Sequence, residues 1–280
     1  MQKIETRLSN VPETMLITLW AKAIETNRTD ALLRDWKALE LMRKIEYDFS
    51  KFKKAKFSQA GCVVRARLID AEIERFLSLH PDAVVIQLGA GLDARYERLG
   101  CPEVTHWYDL DLDEATQLRR TLLAESERNT FLSASLFDTE WMEQVRAHNK
   151  PTLVVIEGVL MYFAPAEVKA FFQNLCTHLD NATILFDMLA YALVGRAKQH
   201  DSLSKVSPDV EFKWSLLESR EMETWHEKIK LEKEYYMSDY CENRYPILFR
   251  ALYKIPYFWR RCNQRIVRLG ITALDTTPRA

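Results

Sequence analysis

The 280 residues carry 39 Lys and Arg against 40 Asp and Glu, a formal net charge of −1, so the chain offers no overall field for nucleic acid or an anionic membrane surface. With 48% hydrophobic residues it can bury a full core, as one large α/β domain with additions. Its five cysteines, Cys62, Cys101, Cys176, Cys241 and Cys262, form no C-x-x-C pair and fit the reduced thiols of a cytoplasmic protein better than a disulfide frame or a zinc site, and no apolar run approaches the roughly 18 residues of a membrane span.

The first 80 residues read as helical, and the chain then alternates strand with helix, with the join near His80-Pro81. We therefore expect an N-terminal helical lid over residues 1–80 and a core over 81–280. A capping box at Asn10-Val11-Pro12-Glu13 opens a helix bearing Met15, Leu16, Leu19, Ala23 and Ile24 at helical spacing. A second helical pattern covers 31–44. Lys51, Lys53, Lys54 and Lys56 interleave with Phe52 and Phe57; because the whole chain is not basic, this reads as a solvated face or a lid near the cofactor entrance. A third helix runs over 63–79.

Short apolar runs follow at crossover spacing, 84–88, 106–110, 130–134, 152–157 and 183–187, with helices between them such as 113–125 and 166–179. This predicts a doubly wound, Rossmann-like parallel sheet. Two last strands, 228–236 and 264–271, are expected as an antiparallel pair, with a substrate-side insertion at about 190–228. Between those strands lie Tyr240, Tyr245, Phe249, Tyr253, Tyr257, Phe258 and Trp259, either helix-packing core or contacts for an aromatic substrate.

The first apolar run, Val84 to Leu88, stops at Gly89-Ala90-Gly91. A buried strand feeding such a turn brings backbone N–H groups and a helix N-terminus to a ligand. Gly89-x-Gly91-x-x-Ala94 matches the dinucleotide fingerprint, with Asp109 and Asp111 near the distance of a ribose-binding acid, so a dehydrogenase is one reading. Against it, Asp93 lies in the turn that would cradle a pyrophosphate and would repel it. S-adenosylmethionine carries no phosphate, and its sulfonium and ammonium suit acidic surroundings. The other strand ends, Asp109 to Asp111, Ser135 to Asp138, Glu157 and Asp187, are also mostly acidic.

Three motifs in order, Leu88-Gly89-Ala90-Gly91-Leu92-Asp93-Ala94-Arg95, Trp107-Tyr108-Asp109-Leu110-Asp111 and Ile156-Glu157-Gly158-Val159-Leu160-Met161-Tyr162, resemble the leucine carboxyl methyltransferase family. The bacterial branch of polyketide O-methyltransferases is the nearer group. The similarity runs from about residue 11 to 189 and includes Tyr47-Asp48-Phe49. The resemblance implies that Arg65, with Arg67 as competitor, pairs with the carboxylate of the methionine moiety. Gly89 and Gly91 would underlie methionine and ribose, Asp111 or Asp109 would take the ribose hydroxyls, and Glu157 would face the amino group. At the adenine end Ser135-Leu136 stands where the family has Asp-Leu, which implies a looser clamp or one shifted to Asp138. Asp93 and Arg95 match the family and are expected to form a structural ion pair.

Methyl transfer from a sulfonium needs alignment and a dry cavity rather than acid–base machinery. His80, His106, His148, His178, His200 and His226 fall in no catalytic spacing, and a carboxylate acceptor needs no base. No catalytic residue stands out; Tyr162 either borders the acceptor or packs in the core. The expected activity is an S-adenosylmethionine-dependent O-methyltransferase acting on a carboxylate or hydroxyl of a small molecule, such as a polyketide-like secondary metabolite, without a metal, nucleic-acid or membrane partner. Two other readings are methylation of a protein C-terminal carboxylate and a non-catalytic protein that binds the same cofactor.

Overall fold

Five parallel strands and two antiparallel ones make a single sheet in the computed structural model, which describes residues 4–5, 14–197 and 210–272. In chain order they are β1 (Val84–Leu88), β2 (His106–Asp111), β3 (Asn129–Ser133), β4 (Thr152–Ile156), β5 (Ala182–Met188), β6 (Ile229–Tyr236) and β7 (Arg265–Ile271). Their order across the sheet is β3-β2-β1-β4-β5-β7-β6. β1 and β4 are buried at every residue, as strands covered on both faces must be. The expected strand positions hold to within one or two residues, and β6 and β7 pair antiparallel as expected. β6, the outer strand, carries Lys230, Glu232, Lys233 and Glu234 and a bulge between Leu231 and Lys233, features that keep a free edge from pairing with other chains.

Three helices precede the sheet, α1 (Met15–Thr26), α2 (Trp36–Lys44) and α3 (Lys56–Leu79). The Asn10–Glu13 capping box lies outside the described residues. α2 starts later than the expected 31, because the Asp35 carboxylate accepts from Ala38 N at 2.7 Å and caps it there. α3 starts earlier than the expected 63, and takes Lys56 and Phe57 from the basic stretch into its first turn. The rest of that stretch is a solvated face: Lys51, Lys53 and Lys54 are exposed while Phe52 is buried against Trp20 and Tyr47.

Around the sheet run α4 (Arg95–Arg98), α5 (Asp113–Leu122), α6 (Glu140–Ala147) and α7 (Pro165–His178). α3 lays Val64, Ile69, Ile73 and Phe76 on one face of the sheet, against Val85, Trp107, Val155 and Leu185. α7 lays Val168, Phe171, Phe172 and Leu175 on the other, against Val154, Ile156 and Phe186. α1 and α2 share a third apolar cluster with Leu92 and Ala94 of the glycine turn. Part of the expected 190–228 insertion, residues 198–209, lies outside the described residues. Short helices α8 (Ile247–Leu252) and α9 (Pro256–Cys262) connect β6 to β7. All five cysteines are free, and no described helix is long and apolar enough to cross a membrane.

The Phe172 ring is fully buried among Phe171, Phe186 and Trp225. Phe172→Ala is expected to cost about 3–5 kcal/mol, read as a lower midpoint with unchanged slope in urea unfolding.

Candidate active site

The sheet order reverses between β1 and β4, so the turns leaving these two strands diverge and open a crevice at their carboxyl ends. A cavity of about 670 Å³ occupies it. The glycine turn forms its floor. Gly89 and Gly91 have φ of +67° and +49°, a region other residues rarely adopt. A Cβ on Gly89 would run into Val159 Cγ2, and one on Gly91 would lie 3.1 Å from the Met15 Cβ. α1 and the turn after β4 can therefore close on this turn only because it lacks side chains.

Under that floor lies a connected network of buried charges. Asp93 meets Lys22 at 2.7 Å, Arg98 at 2.7 Å and Arg95 at 3.2 Å. Arg95 and Arg98 each reach Asp70 at 2.8 Å, and Arg98 reaches Asp35 at 2.7 Å. Arg95 also pairs with Glu157. Glu157 in turn binds Arg65 at 3.0 Å, and Arg65 binds Asp187 at 3.1 Å. The network contains four cations and five carboxylates, one negative charge in excess. Burial alone would raise the Asp93 carboxyl, but Arg95, Arg98 and Lys22 outweigh it and hold Asp93 well below the ordinary carboxylate range. Glu157 is likewise lowered, burial being overcome by Arg95 and Arg65, and so is Asp70, where Arg98 and Arg95 prevail.

The sequence-predicted residues divide clearly. Arg65, Gly89, Gly91, Asp111, Ser135, Leu136, Glu157 and Tyr162 all line the cavity. Arg65 spends Nε on Glu157 and Nη1 on Asp187. Its Nη2 lies 3.1 Å from where a Gly158 Cβ would stand, so that glycine lets the guanidinium reach the crevice. Arg67 is half-exposed and pairs loosely with Glu74 at 3.9 Å, away from the site. Asp111 accepts from Gly91 N through Oδ2 and from Leu112 N through Oδ1, each at 2.7 Å; burial raises its pKa against the pull of those N–H groups.

One expectation needs correction. Asp109 does not reach the cavity, because Arg119, Asn129 and Trp107 take up its carboxylate. Asp138 is exposed and accepts from Ser135 N at 2.8 Å, closing the turn after β3. The Ser135 hydroxyl accepts from Phe137 N at 3.2 Å and keeps its own proton to donate. The expected Asp93–Arg95 pair is present. Asp35, Asp70, Lys22 and Arg98 were not foreseen, because they come from separate helices and share no local spacing. Asp187 was placed at a strand end, without its role in holding Arg65.

On the other side of the glycine turn the lining is apolar and aromatic. Phe57, Tyr245 and Tyr253 pack together with Met237, while Phe212 and Leu193 line the cavity beside Tyr162 in a separate cluster. The aromatic patch between β6 and β7 is thus split, since Tyr245 and Tyr253 face the cavity while Tyr240 and Tyr257 are exposed. Burial pushes the Tyr162 phenol up to about 12. Among the described residues no histidine lines the cavity and no group of His, Cys, Asp or Glu could hold a metal ion.

Since folding depresses the pKa of Asp70, Asp93 and Glu157, their stabilisation is complete above the ordinary carboxylate value of about 4 and is lost as the pH falls through the folded-state values. Asp93→Asn, which leaves Lys22, Arg95 and Arg98 short of one carboxylate, is expected to cost about 3–5 kcal/mol at pH 7. The gap between wild type and variant in chemical denaturation should shrink toward pH 3.

Known proteins share this arrangement. A structure of an S-adenosylmethionine-dependent methyltransferase from Anabaena variabilis superposes with a TM-score of 0.50 at 12% identity, over 72% of this chain and 82% of that one, a likeness of fold alone. The tetracenomycin polyketide synthesis O-methyltransferase TcmP of Streptomyces glaucescens is 32% identical over 233 residues, 83% of this chain and 85% of that protein. The S-adenosyl-L-methionine-dependent methyltransferase dpfgK of Gibberella zeae is 27% identical over 263 residues, 86% and 87% of the two chains. The model of the leucine carboxyl methyltransferase family matches residues 15–176, a span that runs from α1 through the glycine turn and the ends of β2, β3 and β4 into α7. With that span and these relatives, the chain belongs to the leucine carboxyl methyltransferase family and is an S-adenosylmethionine-dependent methyltransferase.

Proposed function

We propose that the cavity joins S-adenosylmethionine to a small acceptor carboxylate and that the protein is a carboxyl O-methyltransferase. One observation carries this reading: a single cavity has a charged, glycine-floored end and an aromatic part with no histidine among the described residues that line it. The residues fit the cofactor. A glycine floor that no Cβ could share, an Arg65 nitrogen free of the carboxylates and an excess negative charge below the turn suit a zwitterion carrying an additional sulfonium.

In this reading Arg65 Nη2 takes the methionine carboxylate, and the field of Glu157 and Asp93 favours the ammonium. Asp111 accepts from the ribose hydroxyls, its orientation already set by Gly91 N and Leu112 N. Ser135 and Leu136 border the adenine. The bound cofactor supplies an electrophilic methyl group. The protein's part is to align the acceptor oxygen behind it and to exclude water, to which α1 and α3 contribute Met15, Thr18, Phe57 and Cys62 of the cavity wall. In this reading α1 and α3 serve as a lid on the sheet core.

An acceptor carboxylate is ionised near pH 7 and needs no proton removed. A phenol or alcohol would need a base, and Tyr162, with its pKa at about 12, holds its proton. Phe57, Tyr245 and Tyr253 would stack an aromatic acceptor, and the Lys213 ammonium would draw an anionic one. A roofed cavity favours a small molecule over a protein C-terminus.

Calorimetric titration should show binding of S-adenosylmethionine and S-adenosylhomocysteine and none of NAD. Asp111→Ala is expected to weaken S-adenosylhomocysteine by about 1–3 kcal/mol; equal affinity for wild type and variant would remove Asp111 from the site. With aromatic carboxylic acids as acceptors, kcat/KM should be flat between about pH 6 and 9, whereas a rate that climbs with pH would point to a hydroxyl acceptor.

A further inference from the structure

Asp109 stands two residues before Asp111 on β2 and does not touch the cavity, yet it is the most heavily hydrogen-bonded carboxylate at this strand end. It is 1% exposed. Its Oδ2 accepts from Arg119 Nη2 at 2.7 Å and Asn129 Nδ2 at 2.9 Å, and its Oδ1 from Trp107 Nε1 at 3.0 Å. The pair therefore sits in a fixed frame. Arg119, on α5, is also 1% exposed, and its guanidinium lies on the Phe131 ring at 4.4 Å.

The second terminal nitrogen of Arg119 is turned to the glycine turn. Nη1 donates to Gly91 O at 3.0 Å and to Asp93 O at 2.9 Å. These carbonyls fix the chain just after Gly91, which adopts φ +49°. With its carbonyl tied down, Gly91 directs its own N–H to Asp111 Oδ2 at 2.7 Å. Meanwhile Arg119 Nε is buried without a partner, an arrangement that costs free energy for the guanidinium itself. The side chain is thus oriented by Asp109 and the two turn carbonyls rather than by full satisfaction of its own donors.

We infer that Asp109 and Arg119 are positioning residues for the cofactor: Asp109 orients Arg119, Arg119 sets the glycine turn, and the turn sets the Asp111 carboxylate. The inference rests on the reading of Asp111 as a cofactor contact. The two acids of Asp109-Leu110-Asp111 then serve one ligand in series, the outer by touching it and the inner by fixing the backbone that aims the outer. A plain structural pair, in which Arg119 only docks α5 onto β2, makes a different prediction, because it would not couple to Asp111.

The test is a double-mutant cycle read as S-adenosylhomocysteine affinity by calorimetry. R119K keeps a cation for Asp109, but a single ammonium cannot span Asp109 and both turn carbonyls. Alone it should weaken binding by about tenfold, and in an Asp111→Ala background by only about twofold, since the effect passes through Asp111. The same loss in both backgrounds, or no loss in either, overturns the relay. If R119K does not fold, D109N carries the same cycle, as it keeps an acceptor oxygen while removing the charge that holds Arg119. The two readings fail differently. Wild-type protein that does not bind S-adenosylhomocysteine, or Asp111→Ala that binds as well as wild type, refutes the cofactor assignment, whereas additivity in a protein that binds and depends on Asp111 refutes the relay alone.

Discussion

The buried charge network beneath the glycine turn is the constraint around which the rest of the molecule is arranged. Moving nine ionised side chains out of water is costly, and the cost is offset only where each carboxylate meets well-placed cations. Asp93 meets three, and Arg95 and Arg98 each bridge more than one acid. These partners come from α1, α3, α4, the loop before α2 and the ends of β4 and β5. The network can therefore form only when the N-terminal helices, the glycine turn and the sheet are all in place. Through Lys22 it ties α1 to the glycine turn in addition to the apolar packing of that helix.

Its charge balance also decides what the crevice attracts. A turn of this shape, with helix N-termini and backbone N–H groups nearby, would ordinarily favour phosphate. Here Asp93 lies in the turn and the network retains one more carboxylate than cations, so the balance moves toward a ligand with excess positive charge. Arg65 complements this. Held by Glu157 and Asp187, it presents a single donor face to the crevice, enough for one carboxylate within an otherwise cation-favouring site. In the proposed reading the aromatic part of the cavity selects its acceptor by shape, stacking and the Lys213 charge.

The family and the cofactor follow from residues close together in the chain, while the acceptor contacts proposed above come from residues far apart. The motifs at 88–95, 107–111 and 156–162 each come from one strand end, and the sheet delivers them side by side at a switch point. That part of the cavity lining comes from Phe57 on α3, Phe212 and Lys213 after β5, Tyr245 and Tyr253 between β6 and β7, and Gln264 just before β7. No local pattern joins these residues.

Sequence by itself determined the alternation of strand and helix, the antiparallel last pair and the glycine turn, whereas only the family resemblance implied that Arg65, Asp111, Ser135, Leu136 and Glu157, which line one cavity, belong together. The first three follow from local rules, a period of two or of 3.6 residues and a turn that needs positive φ. Only the tertiary structure shows that Asp111 lines the cavity while Asp109 does not. Both share a face of β2, but Arg119 from α5 and Asn129 from β3 claim the first and the Gly91 and Leu112 N–H groups orient the second. It also decided that Glu157 is paired, that Asp138 closes a turn, and that the aromatic patch is divided between cavity and solvent. In every such case the deciding partner lies on another element, and its distance in space bears no relation to its distance along the chain.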